Sequence, residues 1–277
     1  MSSQTGSGER LLAILDIFSE ERLEWTTEEM QAALGYSRPT LYRYLKRLRE
    51  AGFITSLPGR GFTLGPRVVE LDFLMRKSDP LVSTGEKHLH FLSGRYPCSA
   101  FLVRWYGNRL LCVSSTCSIP NPRSSYPRGR PMPLARGAIS RAILANLPRR
   151  QQEPLIEANL EAFAEIGLGT TVDAVIDSLR KTRRDGCAVA HGEVTPGVVG
   201  TAAPIFDAGR SAIAVLCVTV AETDVADDRL PDIARDVTRA ADAISAELAE
   251  RRFDNAEWAA HDIESESASL SAHGADA

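Results

Sequence analysis

The segment that most constrains this chain runs from Trp25 to Leu64, WTTEEMQAALGYSRPTLYRYLKRLREAGFITSLPGRGFTL. Leu41, Leu45 and Leu48 fall at i, i+4 and i+7 and share one helical face, which must pack on a neighbour. Thr40, Tyr42, Arg43, Lys46, Arg47 and Arg49 occupy the rest of that helix. Ser37 is a good N-cap, Pro39 is tolerated in the first turn, and Gly52 suits the C′ position. Before it, Thr27 can cap a helix with Met30, Ala33 and Leu34 on its apolar side, and Gly35 supplies a tight turn. Upstream, Leu11, Leu12, Leu15 and Phe18, with Ile14 beside them, make a third amphipathic helix. After it, 53–57 is an apolar β-compatible run, Pro58-Gly59-Arg60-Gly61 is turn material and 62–64 returns as a hairpin. Three short helices around a small core, followed by a hairpin with Arg60 at its tip, form the outline of a winged helix-turn-helix.

Charge is what separates this outline from an ordinary three-helix domain. From Tyr36 to Arg67 there are seven Arg or Lys against one acid, Glu50, whereas from Glu9 to Gly35 there are two Arg against seven acids. The cations coincide with the second helix and the wing, the parts that would face a duplex. Affinity for DNA rests largely on neutralised phosphates and released counterions, so this local excess outweighs a whole-chain charge of −4. The bland alternative is a solvated face on a core helix.

At 277 residues the chain has length for about two domains. Hydrophobic content of 44% and charged content of 25% are ordinary for a globular protein. No apolar run reaches the roughly 18 residues of a membrane span, and the polar start MSSQTGSG does not read as a signal peptide. The five cysteines, without a CxxC pair, suggest free thiols in a reducing cytoplasm.

After the wing, Val68, Leu71, Leu74 and Met75 form a helical stripe over 66–77. It would pack either on a partner subunit or on its own domain. Ser78-Asp79-Pro80 breaks that helix. Beyond it come a helix over 81–91, a hairpin of 100–103 and 110–114 turning at Gly107-Asn108, and a loop over 116–125. The stretch from Pro133 to Ala138 leads into a helix through Asn146; helices near 151–163 and over 172–184 follow, then strands at 188–191, 200–206 and 212–220 and a last helix from about 228 to 252. The pattern is α+β, a mostly antiparallel sheet with packed helices. From Asp254 on there are six acids and no Lys or Arg, which reads as a disordered acidic tail.

Chemistry in the second domain is sparse. Cys112 and Cys117 have no nearby His, and His88, His90 and His191 lie in separate elements, so no zinc site is expected. Cys187 or Cys217 beside His191 would be needed for thiol catalysis, but both Cys sit in apolar strand contexts where the residue is commonly a small hydrophobe. Phosphate loops are absent, and neither a cofactor nor a metal is implied. From Arg123 to Arg150 there are seven Arg and no acid. Within that run Arg136-Gly137-Ala138 opens a helix whose amides and dipole favour a carboxylate. The same small residues would also permit close helix-sheet packing, and the sequence leaves both readings open.

SRPTLYRYLKRLREAGFI, FTLGPRVVEL, RGRPMPLARGAISRAILANLP and HGEVTPGVVGTAAPIFD, in this order, resemble the recognition helix, linker helix, pocket helix and C-terminal signature of the IclR family of bacterial transcriptional regulators. The resemblance covers Gly8 to Arg251. It implies a winged helix-turn-helix over 8–65, a linker helix over 66–79 and a GAF-like effector-binding and oligomerisation domain over 80–252, with the tail at 253–277. It implies a cytoplasmic homodimer or homotetramer, repressor or activator, on a palindromic double-stranded operator of a catabolic operon, controlled by a small organic-acid or aromatic effector. Ser37, Arg38, Thr40, Tyr42, Arg43 and Arg47 match the face presented to the major groove, with Arg60 on the wing. Gly137 and Ala138 match backbone amides that hold an acidic effector, Cys217 and Thr219 match polar pocket positions, and Leu134 matches an apolar wall. Gly200 falls where some members have a pocket Cys, and His191 lies near a pocket acid position. The competing readings are an enzyme or metabolite sensor with an accessory DNA-binding domain, and a ligand-free oligomeric DNA-binding protein with a filled second domain.

Overall fold

In the computed structural model the chain divides into two units, Met1–Asp79 and Pro80–Ala277. The structure describes residues 6–272 apart from 121, 125 and 226–228, with side chains described as far as 251.

The first unit contains helices α1 (Ser7–Asp16), α2 (Thr27–Leu34) and α3 (Arg38–Glu50), the antiparallel hairpin β1 (Ile54–Leu57) and β2 (Gly61–Leu64), and helix α4 (Pro66–Ser78). Its core is Ile14, Trp25, Met30, Leu41, Tyr44, Leu45, Leu48 and Ile54. Tyr44 completes the stripe of α3 at 41, 44, 45 and 48, a position the leucine pattern alone omits. On α1 the fully buried residue is Ile14, whereas Leu12, assigned to the apolar face, is 57% exposed. The cap of α2 is Thr26 and not Thr27. Thr26 Oγ1 accepts the Glu29 N–H at 3.3 Å and Glu29 Oε2 accepts the Thr26 N–H at 2.8 Å, a reciprocal capping box that only the earlier threonine can close. Gly35 ends α2 in the left-handed conformation, φ 65°. The wing is tied to the helices through Trp25, whose N–H donates to the Phe62 carbonyl while the Phe62 N–H donates to the Trp25 carbonyl, at 3.0 and 2.8 Å. Gly61 makes this possible. Its φ is +104°, and a Cβ there would stand 2.3 Å from the Trp25 carbonyl oxygen.

Of the linker stripe, Val68, Leu74 and Met75 are exposed and Leu71 is half-buried. α4 buries no side chain, and Val69 and Phe73 are exposed too.

The second unit is built on one six-stranded sheet in the order β5-β4-β3-β8-β7-β6, with every neighbouring pair antiparallel. The strands are β3 (Ser99–Trp105), β4 (Leu110–Cys117), β5 (Pro131–Met132), β6 (Ala188–His191), β7 (Val198–Phe206) and β8 (Ala212–Ala221). Side chains alternate between faces along each strand, and the central strands are apolar on both. On one face Ala100, Leu102, Leu216, Val218 and Val220 pack with helices α5 (Pro80–Arg95) and α10 (Leu230–Ala272). On the other, Phe101, Val103, Ala202, Val215 and Cys217 pack with α6 (Gly137–Leu144), α7 (Arg149–Glu157), α8 (Leu160–Glu165) and α9 (Val172–Asp185).

Three elements differ from the sequence pattern. β5 is a two-residue strand with too little periodicity to register. The stretch near 151–163 is two helices, broken at Ala158 and Asn159, where the Asn159 side-chain amide donates to the Leu155 carbonyl at 2.8 Å and caps the first of them. The last helix runs on to Ala272 instead of stopping near 252; past 252 the run lacks Pro, and the first Gly there is Gly274. The side chains of the segment expected to be a disordered tail, 253–277, lie outside the described residues.

Candidate functional sites

The first unit presents a cationic helix face. Leu41, Tyr44, Leu45 and Leu48 fix one side of α3 in the core, so Tyr42, Arg43, Lys46, Arg47 and Arg49 are turned outward and exposed. Ser37 holds the N-cap position in backbone terms, but its hydroxyl donates to Thr40 Oγ1 at 3.0 Å and not to a backbone amide. The Arg38 guanidinium lies 5.6 Å from the Tyr42 ring and that of Arg43 lies 5.2 Å from the Tyr44 ring, so both aromatic rings steady neighbouring cations. Arg60 is exposed at the wing tip and ion-paired with Glu24, a partner it must release to meet a phosphate.

The second unit contains a cavity between the sheet and the start of α6. Its free volume is about 50 Å³ within a wider envelope of about 500 Å³ that includes open solvent. Register builds its floor: Phe101 pairs with Cys217 and Gly200 with Thr219 across neighbouring strands, and all four line the space. Gly137 and Ala138 bring the first turn of α6 to it, and Met132 and Tyr126 close one side. The Phe101 and Tyr126 rings meet edge to face, 5.7 Å between centroids. Burial pushes the Tyr126 phenol above its ordinary value, so it stays a neutral hydroxyl. A Cβ at Gly200 would stand 3.6 Å from the Ala138 Cβ, an ordinary van der Waals contact.

Gly137 opens α6 with φ +85°. Its N–H donates to Glu193 Oε2 at 2.9 Å, and the other oxygen of that carboxylate pairs with Arg141 Nη2. Arg141 Nη1 reaches the Val189 carbonyl at 3.4 Å, and its Nε is buried without a partner among the described residues.

Of the effector residues named from the sequence, Gly137, Ala138, Gly200, Cys217 and Thr219 come together here. Leu134 and His191 do not line the cavity. Leu134 packs against the apolar core and its carbonyl accepts the Ser140 hydroxyl. His191 ends β6 pointing away, exposed, 3.9 Å from Glu222. Strand parity sets its position, because Ala190 takes the inward position and its neighbour must face out. Glu193 and Arg141 escaped the sequence reading. The only local signal was an acid set between two turn glycines, Gly192 and Gly197.

Profile models of two domains match the chain: the IclR helix-turn-helix domain over residues 7–58 and the C-terminal domain of the bacterial transcriptional regulator IclR over residues 98–246. This chain belongs to the IclR family. It is similar to the HTH-type transcriptional regulator XynR of Escherichia coli, 27% identical over 258 residues, covering 87% of this chain and 96% of that one. It is similar to KipR of Bacillus subtilis, 25% identical over 239 residues, covering 86% and 94%. In fold it matches an IclR transcriptional regulator from Alicyclobacillus acidocaldarius, with TM-score 0.72, 21% identity and coverage of 89% and 100%. It also matches an IclR homolog from Microbacterium hydrocarbonoxydans solved with 4-hydroxybenzoate, with TM-score 0.71, 20% identity and coverage of 88% and 99%.

This IclR-family protein is therefore a transcriptional regulator with DNA as its partner, and not an enzyme. Burial pushes the Cys217 thiol far up, so it is a neutral wall group and not a thiolate nucleophile. Among the described residues no three His, Cys, Asp or Glu side chains cluster to hold a metal, and no helix is long and apolar enough to cross a membrane.

Proposed function

We propose that this regulator binds its operator through α3 and the wing, and that a small organic acid, with an aromatic acid favoured, modulates that binding from the second unit. The observation that carries the effector half is the Gly137 N–H opening α6 onto a buried, largely apolar cavity with the Arg141 guanidinium beside it. An amide at a helix start and a nearby cation are the groups that recognise a carboxylate. Phe101, Tyr126 and Met132 supply apolar surface for a ring, and the Microbacterium relative holds such an acid. A filled second domain would have favoured a ligand-free DNA-binding protein; this cavity favours a ligand.

On the DNA side, Arg38 and Arg43 contact bases or phosphates, Ser37, Thr40, Tyr42 and Arg47 complete the major-groove face, and Arg60 meets the backbone from the wing. The exposed stripe of α4 supports its role as a linker that packs on a second copy, giving a cytoplasmic dimer or tetramer on a palindromic operator. The controlled genes are a catabolic operon near its own. In gel-shift titrations on the DNA upstream of its own and adjacent genes, Arg43→Ala abolishes specific binding while circular dichroism and oligomeric state stay unchanged. Undiminished affinity in that variant removes the assigned face.

A further inference from the structure

The anion position of the cavity is already taken by the protein. Glu193 is 13% exposed and Arg141 18%, so this pair lies largely out of water, and with the Gly137 N–H it satisfies both carboxylate oxygens. We propose that Glu193 is an internal stand-in for the effector, and that an acidic effector binds by displacing its carboxylate from the Gly137 amide and Arg141. The inference rests on the reading of this cavity as the effector site.

Further observations support it. The free volume of about 50 Å³ is room for only a few waters. Glu193, Val194 and Thr195 form the wall that closes it. Those residues sit in the β6–β7 connection between Gly192 (φ 63°) and Gly197 (φ 72°), two positions that turn the chain without a side-chain penalty. Val194 is apolar yet 39% exposed, and it lies over Gly137 so closely that a Cβ there would stand 2.8 Å from its Cγ2. The segment is thus a short flap, tethered at its far end by the Glu222 N–H donating to the Gly197 carbonyl at 3.0 Å.

The exchange also selects the ligand. Withdrawing Glu193 alone would leave the Arg141 cation buried without a counter-charge, which is costly. A neutral ligand cannot replace it; an incoming carboxylate restores the charge pair and the amide hydrogen bond at once. Weak, abundant anions fail to open the flap because they offer no apolar contact to offset the loss of an intramolecular partner.

The test is calorimetric titration of the full chain with benzoate, acetate and formate, comparing wild type with Glu193→Gln and, should that variant fold poorly by circular dichroism, Glu193→Ala. Removing the competing carboxylate raises the competent fraction of the site, so benzoate binds about 10-fold tighter or more in either variant. The backbone amides of Gly137 and Ala138 shift in the 15N spectrum on binding. Unchanged or weaker benzoate affinity in the variants, with those amides still shifting, overturns the stand-in role and leaves the pocket reading intact. Failure of all three acids to bind any of the proteins, or binding that leaves Gly137 and Ala138 unmoved, removes the pocket reading and the inference with it.

Discussion

Replacing Gly137 with Ala tests whether the start of α6 is held as described, through two separable effects. The first is conformational. At φ +85° an L residue carries a left-handed penalty of about 1–2 kcal/mol. The second is steric. The new Cβ meets Val194 Cγ2 at 2.8 Å, a clash in the range where overpacking costs about 1–3 kcal/mol. Val194 stands on a loop between glycines and is partly exposed, so it gives way and the steric share falls at the low end. The expected sum is about 2–3 kcal/mol. Adding Val194→Ala should return about 1 kcal/mol, because it removes the clash and leaves the backbone strain. The free energy is best read from the slowest-exchanging amides of β3 and β8, which report unfolding of the second unit separately from the first. A loss below about 0.5 kcal/mol, or a double variant no more stable than Gly137→Ala, would refute the reasoning.

Thr26→Ala opens the capping box of α2 and should cost about 1 kcal/mol, seen as faster amide exchange in α2 with little change in the second unit. Phe73→Glu, at an exposed apolar position of α4, should lower the molar mass measured by light scattering while circular dichroism stays constant. Burial pushes the Cys98 thiol up to about 12 and that of Cys112 to about 11, from an ordinary 9.0. The unfolded chain therefore loses these protons first, and the second unit should lose stability as pH rises above about 9, by up to about 1.4 kcal/mol per pH unit for each thiol. Cys112→Ala should flatten that slope between pH 9 and 11, measured by urea midpoints.

The reading units of the first domain were legible because they are local. A leucine spacing of 41, 45 and 48, a glycine at a turn and a run of cations declare a helix and its outward side without reference to anything distant. Ambiguity arose where two adjacent residues compete for one role. Thr26 and Thr27 are chemically alike, and only the reach of Glu29 chooses between them. Tyr44 was hidden for a related reason, since an aromatic with a hydroxyl fits either face until the packing around Ser7 and Tyr36 is known.

The sequence by itself therefore determined the two-part organisation, the cationic helix and the run of strands and helices, because hydrophobic period and turn chemistry act over a few residues. Tertiary structure alone decided which residues meet. The cavity exists because antiparallel register sets Gly200 beside Thr219 and Phe101 beside Cys217, and because parity sends Ala190 inward and His191 out. It is occupied because a hairpin more than fifty residues downstream returns Glu193 to the amide of Gly137. No local pattern encodes such a contact, since it depends on the summed twist and register of strands far apart in the chain.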